Sequence, residues 1–153
     1  MAKKYWLMKS EPSEFSIDNL ERIGTQIWDG VRNYQVRNMF RDEMKAGDKA
    51  LFYHSSCDLV GIVGEMEIIS PAEVDPTQFN SQSKYFDPKS TKENPRWFGP
   101  MVTFNKKFRR IVSLTELKQN PLFQDLPLVQ RGNRLSVFPI SKDHYQAVVK
   151  LAK

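Results

Sequence analysis

The chain has 153 residues, 40% apolar and 12% aromatic, enough for one packed domain and too few for two. That balance excludes a disordered segment, and no apolar run approaches the roughly 18 residues of a membrane-spanning helix. The net charge of +5 is uneven: residues 1–95 carry 12 Lys and Arg against 15 Asp and Glu, whereas 96–153 carry 11 against 3, a basic excess that suits either a polyanion partner or a solvated face.

Tyr5 to Met8 reads as the opening strand, ended by Lys9-Ser10-Glu11-Pro12. It is too short for a signal-peptide core, so a cytoplasmic address is expected. Ser16 caps a helix in which Phe15 and Leu20 can meet as a hydrophobic staple, and Gly24 stops it. A short strand or loop then carries Ile27 to Asn33. From Tyr34 to Met44 the apolar positions Val36, Met39, Phe40 and Met44 recur at helical spacing.

Lys49 to His54 and Leu59 to Ile69 flank Ser55-Ser56-Cys57-Asp58, which reads as a four-residue hairpin loop. The lone Cys57 excludes an intrachain disulfide and reads as a turn residue. In the second strand Val60, Ile62, Met66 and Ile68 alternate with Gly61, Val63, Glu65 and Glu67, so one buried face is expected. Gly61 and Gly64 there suggest a bulge or a close backbone approach. Residues 80–96 form the one long polar stretch, of a length that marks a functional or a disordered loop, and its Tyr85 and Phe86 argue against a purely solvated linker. Trp97 to Phe108 reads as a strand extended by Ile111-Val112, and Ser113 to Glu116 has capping-box spacing for a short helix. Leu135 to Phe138 is the last strand, and Ser141 caps a terminal helix with Tyr145, Val148, Val149 and Ala152 on one face. Five or six mainly antiparallel strands with flanking helices make this an α+β domain over 1–153, its sheet strongly bent or barrel-like.

The motifs exclude several chemistries. Neither G-x-x-x-x-G-K-[ST] nor G-x-G-x-x-G nor G-x-S-x-G occurs, and two histidines with one cysteine cannot build a Cys/His zinc site. No metal or cofactor is expected. Glu11 and Asp29 remain as a conceivable acid–base pair, in loops where turns also use carboxylates. Polar and aromatic residues instead gather at strand ends, in Lys9-Ser10-Glu11-Pro12, Trp28-Asp29-Gly30-Val31-Arg32-Asn33, Tyr53-His54-Ser55, Pro95-Arg96-Trp97-Phe98 and Arg131-Gly132-Asn133-Arg134-Leu135-Ser136. Strand ends and barrel mouths are favoured places for ligand sites.

The segments Tyr5 to Pro12 and Trp28 to Tyr34 together resemble the opening of EVE-domain proteins. The resemblance runs on through Phe52 to Ser55, Gly61 to Gly64, Asn94 to Trp97 and Arg131 to Val137, nearly the whole chain. It implies a PUA-like fold, a bent β-barrel related to the YTH readers of N6-methyladenine. It also implies a non-catalytic binder of nucleic acid carrying a modified base; separately, a monomer is expected. By the same resemblance Trp28 forms an aromatic wall, and Lys9, Ser10, Asn33, Tyr53 and His54 belong to the ligand-binding set. Tyr85, Phe86 and Trp97 are candidates for further walls, and Arg109, Arg110, Arg131 and Arg134 for phosphate contacts. The rival readings are a small hydrolase acting on a modified nucleoside through Glu11 or His54, and a small-molecule or protein-interaction module.

Overall fold

In the computed structural model, which describes residues 3–132 and 135–153, the apolar segments become one six-stranded sheet. Its strands are β1 (Tyr5–Ser10), β2 (Thr25–Ile27), β3 (Lys49–His54), β4 (Gly61–Val74), β5 (Phe98–Ser113) and β6 (Val137–Ile140). The helices are α1 (Ile17–Ile23), α2 (Tyr34–Asp42), α3 (Leu114–Gln119) and α4 (Lys142–Leu151). Spatially the strands run β2-β5-β4-β3-β1-β6. Four of the five pairings are antiparallel; β1 and β3 run parallel, joined by a crossover that contains α1, β2 and α2. The α+β expectation with mainly antiparallel strands and flanking helices holds. The sheet stays open, with β2 and β6 as its edges.

Bulges interrupt the longest pairing. The β4–β5 register shifts four times, first between Ile62 and Gly64. At Gly61 an added Cβ would lie 2.6 Å from the Val112 carbonyl oxygen, and at Gly64 it would strike that of Lys106. Both glycines thus sit where the sequence suggests, at a bulge with close backbone approach. β5 is a single 16-residue strand rather than a strand and a separate extension.

The one-faced hairpin expected from period-two alternation is not what forms. Trp6, Met8, Ala50, Phe52 and Met66 pack on one face against Leu20, Val36 and Phe40 from α1 and α2. Leu7, Leu51, Tyr53 and Ile62 pack on the other against Leu117, Tyr145 and Val148 from α3 and α4. Helices cover both faces, so alternation no longer separates core from solvent. Val63 is buried, and so is Glu65, whose carboxylate accepts the Tyr145 hydroxyl at 2.6 Å. Burial and that hydrogen bond push the Tyr145 hydroxyl far above the usual phenol range.

Two contacts bring the β2–α2 connection onto the sheet. The Trp28 backbone N–H donates to the Pro100 carbonyl at 2.7 Å, which carries the β2–β5 pairing one step beyond Ile27. Beside it, a Cβ at Gly99 would collide with the Trp28 carbonyl oxygen, a backbone atom that cannot rotate away. Gly99→Ala is therefore expected to destabilise by about 1–3 kcal/mol or more, as overpacking does. Urea unfolding checks this; an unchanged midpoint would mean that the Trp28 backbone is not pinned there.

Candidate functional site

A cavity of about 680 Å³ opens where β1 ends, where β2 passes into α2, and beside the loop that carries Tyr85. Its size falls within the roughly 300–1,000 Å³ of small-ligand pockets. Three aromatic side chains line it: Phe15, Trp28 and Tyr85. Trp28 is 6% exposed, its ring edge-on to Phe52 at 5.2 Å and to Phe15 at 6.3 Å. The three indoles differ in what holds them. Trp6 donates its N–H to Asp48 at 3.0 Å and Trp97 donates to Asp87 at 2.8 Å. Among the described residues the Trp28 indole N–H has no acceptor, and no side-chain polar atom there is buried without a partner. Its donor therefore reaches accessible space.

Tyr85 stands at the cavity through an ordered loop. Asp75, fully buried, accepts from the Arg32 guanidinium at 2.9 Å and from the Gly30 N–H at 2.8 Å. Arg32 also donates to the Tyr85 carbonyl at 2.7 Å and to Thr77 at 3.0 Å. The loop winds about Gln78, also fully buried. Its amide donates to the carbonyls of Asp75 and Trp97, and its oxygen accepts from Ser90, Arg96 and Trp97. The Tyr85 ring then fits over Gly30, where a Cβ would come within 2.7 Å of it, and its hydroxyl donates to Glu14 at 2.8 Å. Gly30 has φ +81, a left-handed conformation that glycine tolerates best. The long polar stretch thus supplies one wall of the cavity through Tyr85.

Five of the nine expected ligand-binding residues line this cavity: Lys9, Ser10, Trp28, Asn33 and Tyr85. Several have duties within the fold. Ser10 donates its hydroxyl to the Phe15 carbonyl at 2.7 Å, and the Lys9 backbone N–H donates to that of Ser136 at 2.8 Å. The Lys9 ammonium stands 5.9 Å from the Tyr53 ring and 5.7 Å from Phe138, where burial lowers its pKa. Asn33 caps α2 by accepting the Val36 N–H, which leaves its amide hydrogens unspent among the described residues.

The other four lie outside the lining. Tyr53 is buried in the core on the opposite face of the sheet. His54 accepts the Ile17 N–H on Nε2 at 3.1 Å, and burial lowers its pKa, which keeps the ring neutral as that bond requires. Phe86 points to solvent. Trp97 is 5% exposed, sandwiched between Tyr34, stacked at 4.7 Å, and the Arg32 guanidinium at 5.3 Å. Of the phosphate candidates, Arg110 is held by a bidentate pair with Glu116 and by the Leu151 carbonyl. Arg109 and Arg131 are exposed. Arg134 lies outside the described residues.

Sequence reasoning missed Phe15, Arg32, Asp75 and Gln78. Arg32 was visible inside the Trp28 segment; Asp75 and Gln78 gave no signal, since Asp-Pro-Thr-Gln reads as an ordinary turn. Arg32→Met would leave the Asp75 carboxylate buried and unpaired, a loss of about 3–5 kcal/mol. Hydrogen exchange in 75–97 should rise with it. Unaltered protection of that loop would show that Arg32 does not hold it.

Thymocyte nuclear protein 1 of Danio rerio is 41% identical over 165 residues, covering 95% of this chain and 71% of that protein. A crystal structure from Pseudomonas syringae matches with TM-score 0.92 and 46% identity, over 97% of this chain and 99% of the other. Human THYN1, solved in complex with 5-methylcytosine-containing DNA, matches with TM-score 0.90 and 37% identity over 99% of this chain and 98% of that one. A fold likeness extends to the YTH domain of Zygosaccharomyces rouxii MRB1, at TM-score 0.58 and 17% identity. The relatives named as nuclear proteins overturn the expected cytoplasmic address, which rested on the shortness of one apolar stretch, a feature that bears on export across a membrane and not on compartments inside a cell. No helix among the described residues is long and apolar enough to cross a membrane. The EVE domain model matches residues 4–151, and the chain belongs to the EVE domain family.

Proposed function

We propose that this chain is a non-catalytic reader of a modified nucleobase, working as a monomer and as one module, which receives a flipped base against Trp28. The observation that carries the reading is the unspent indole at a cavity of base-accommodating size, beside two further aromatic side chains. The human relative crystallised with 5-methylcytosine DNA supports it at 37% identity across both chains. Extruding a base from its stack costs a few kcal/mol, and stacking on an aromatic ring returns about 1–3 kcal/mol. A fitted apolar wall adds about 1–3 kcal/mol for a methyl group. Trp28, Tyr85 and Phe15 supply the walls, and Ser10 and the Asn33 amide offer polar edges.

Phosphates would meet Arg131, with Arg134 three residues on, in the segment that leads to Ser136 at the cavity edge, and the exposed Arg109. Arg110 contributes less, because Glu116 already neutralises it. The hydrolase reading finds less support. His54 spends its Nε2 lone pair on the Ile17 N–H outside the cavity lining, which leaves it badly placed to act as a base there.

Trp28 also belongs to the core, so Trp28→Ala would cost stability of about 3–5 kcal/mol and confuse the result. Trp28→Leu keeps apolar volume and removes the stacking face. It should lower the preference for 5-methylcytosine over cytosine in single-stranded oligonucleotides by roughly tenfold while the circular dichroism spectrum stays native. A retained preference would make Trp28 a packing residue only. Separately, Arg131→Ala should weaken all oligonucleotides alike and reduce the slope of log affinity against log salt by about one. The same slope as wild type would remove Arg131 from the interface.

A further inference from the structure

We propose that Asp29 decides which class of base this cavity accepts: its carboxylate takes the exocyclic amino group of a cytosine- or adenine-type base and turns away the carbonyl of thymine and uracil. The inference rests on the reader assignment above.

Five residues of charged type line the cavity: Lys9, Glu11, Glu14, Asp29 and Arg32. Three are committed. Arg32 is held by Asp75, Thr77 and the Tyr85 carbonyl. Glu14 is paired with Lys84 and accepts the Tyr85 hydroxyl, which together hold its pKa down. The Lys9 ammonium stands over Tyr53 and Phe138. Only Glu11 and Asp29 keep carboxylates that no other side chain occupies among the described residues. A surface for a polyanion gains nothing from free carboxylates unless the ligand brings a donor.

Asp29 is the better placed of the two. It follows Trp28 directly, so its carboxylate starts one residue from the indole on the same connection between β2 and α2. Asp29 lines the cavity and stays exposed to solvent, with part of its hydration displaced by the surrounding protein. That desolvation, with the nearby charge of Asp75 and a smaller push from Glu14, raises its pKa against the opposing pull of Arg32. The influence of Glu14 fits their shared place in the lining. A carboxylate that has lost part of its water gains from a ligand donor and is penalised when it faces another lone pair. Carboxylates accept from the cytosine amino group, whereas thymine presents an acceptor at the same ring position. A site built to hydrogen-bond one group rejects the analogue that lacks it more strongly than an apolar wall can.

5-Methylcytosine and thymine carry the same ring methyl and differ at the amino or carbonyl position, so together they isolate this effect. The full chain would be titrated with four single-stranded oligonucleotides that differ at one central position: 5-methylcytosine, thymine, cytosine and uracil. Wild type should favour 5-methylcytosine over thymine, and cytosine over uracil, by about tenfold or more. Asp29→Asn, equal in shape and able to donate, should bring both ratios to within about twofold of unity and leave the 5-methylcytosine-to-cytosine ratio unchanged. Glu11→Gln should alter none of the three. Amine preference that survives in Asp29→Asn, or that collapses in Glu11→Gln instead, overturns the proposal. Wild type that lacks the methyl preference but keeps the amine preference defeats the modified-base reading and leaves Asp29 its role. Wild type with no preference of either kind defeats both.

Discussion

The candidate site depends on one buried ion pair. Asp75 is fully removed from solvent while the Arg32 side chain stays 22% exposed, and the carboxylate holds both the Arg32 guanidinium and the Gly30 N–H. A charge buried this way is tolerable only when its partners are in place. Here the partners come from the β2–α2 connection while the carboxylate comes from the far end of β4. Closing the pair therefore brings two chain segments more than 40 residues apart against each other. Arg32 then reaches on to the Tyr85 carbonyl and stands over the rings of Tyr85 and Trp97. One guanidinium thus joins the wall that carries Trp28 to the wall that carries Tyr85.

The fate of the three tryptophans follows the same economy of donors. Trp6 and Trp97 each give their indole N–H to a carboxylate, which fixes ring and backbone together. Asp48 accepts from Trp6 and also from the Lys4 and Lys45 N–H groups, and so ties the start of β1 to the turn before β3. Trp28 is held instead by backbone, through Pro100 and the close approach of Gly99, and by edge-on contact with Phe15 and Phe52. Its ring is positioned without spending its donor. An indole fixed in place yet unsatisfied on one side is suited to stack on a flat ligand without further ordering cost.

Much of the site was legible locally. Trp28, Ser10, Lys9 and Asn33 lay in segments that resemble a family, and the family model confirms that resemblance over residues 4–151. Tyr85 was a candidate because an aromatic in a long polar loop is costly without a partner. The same reasoning also pointed to Phe86, and the resemblance to Trp97, and neither could discriminate. Phe86 turns outward one residue after Tyr85, and Trp97 is consumed by Tyr34 and Asp87. His54 and Tyr53 sit on β3, whose alternate residues point to opposite faces. Neither lines the cavity. With both faces buried, nothing in the alternation of β3 says which face holds a ligand.

By itself the sequence determined the elements, their caps and the bulge glycines, because these are set by interactions within a few residues: Ser16, Asn33, Ser113 and Ser141 each accept the N–H three positions on. It also determined the family. Only the tertiary structure decided that the sheet is covered on both sides, that Asp75 and Gln78 organise the 75–97 loop, and which aromatic rings face the cavity. Those outcomes depend on which buried donors and acceptors meet across 18 to 45 residues of chain, and no local pattern encodes a partner at that distance.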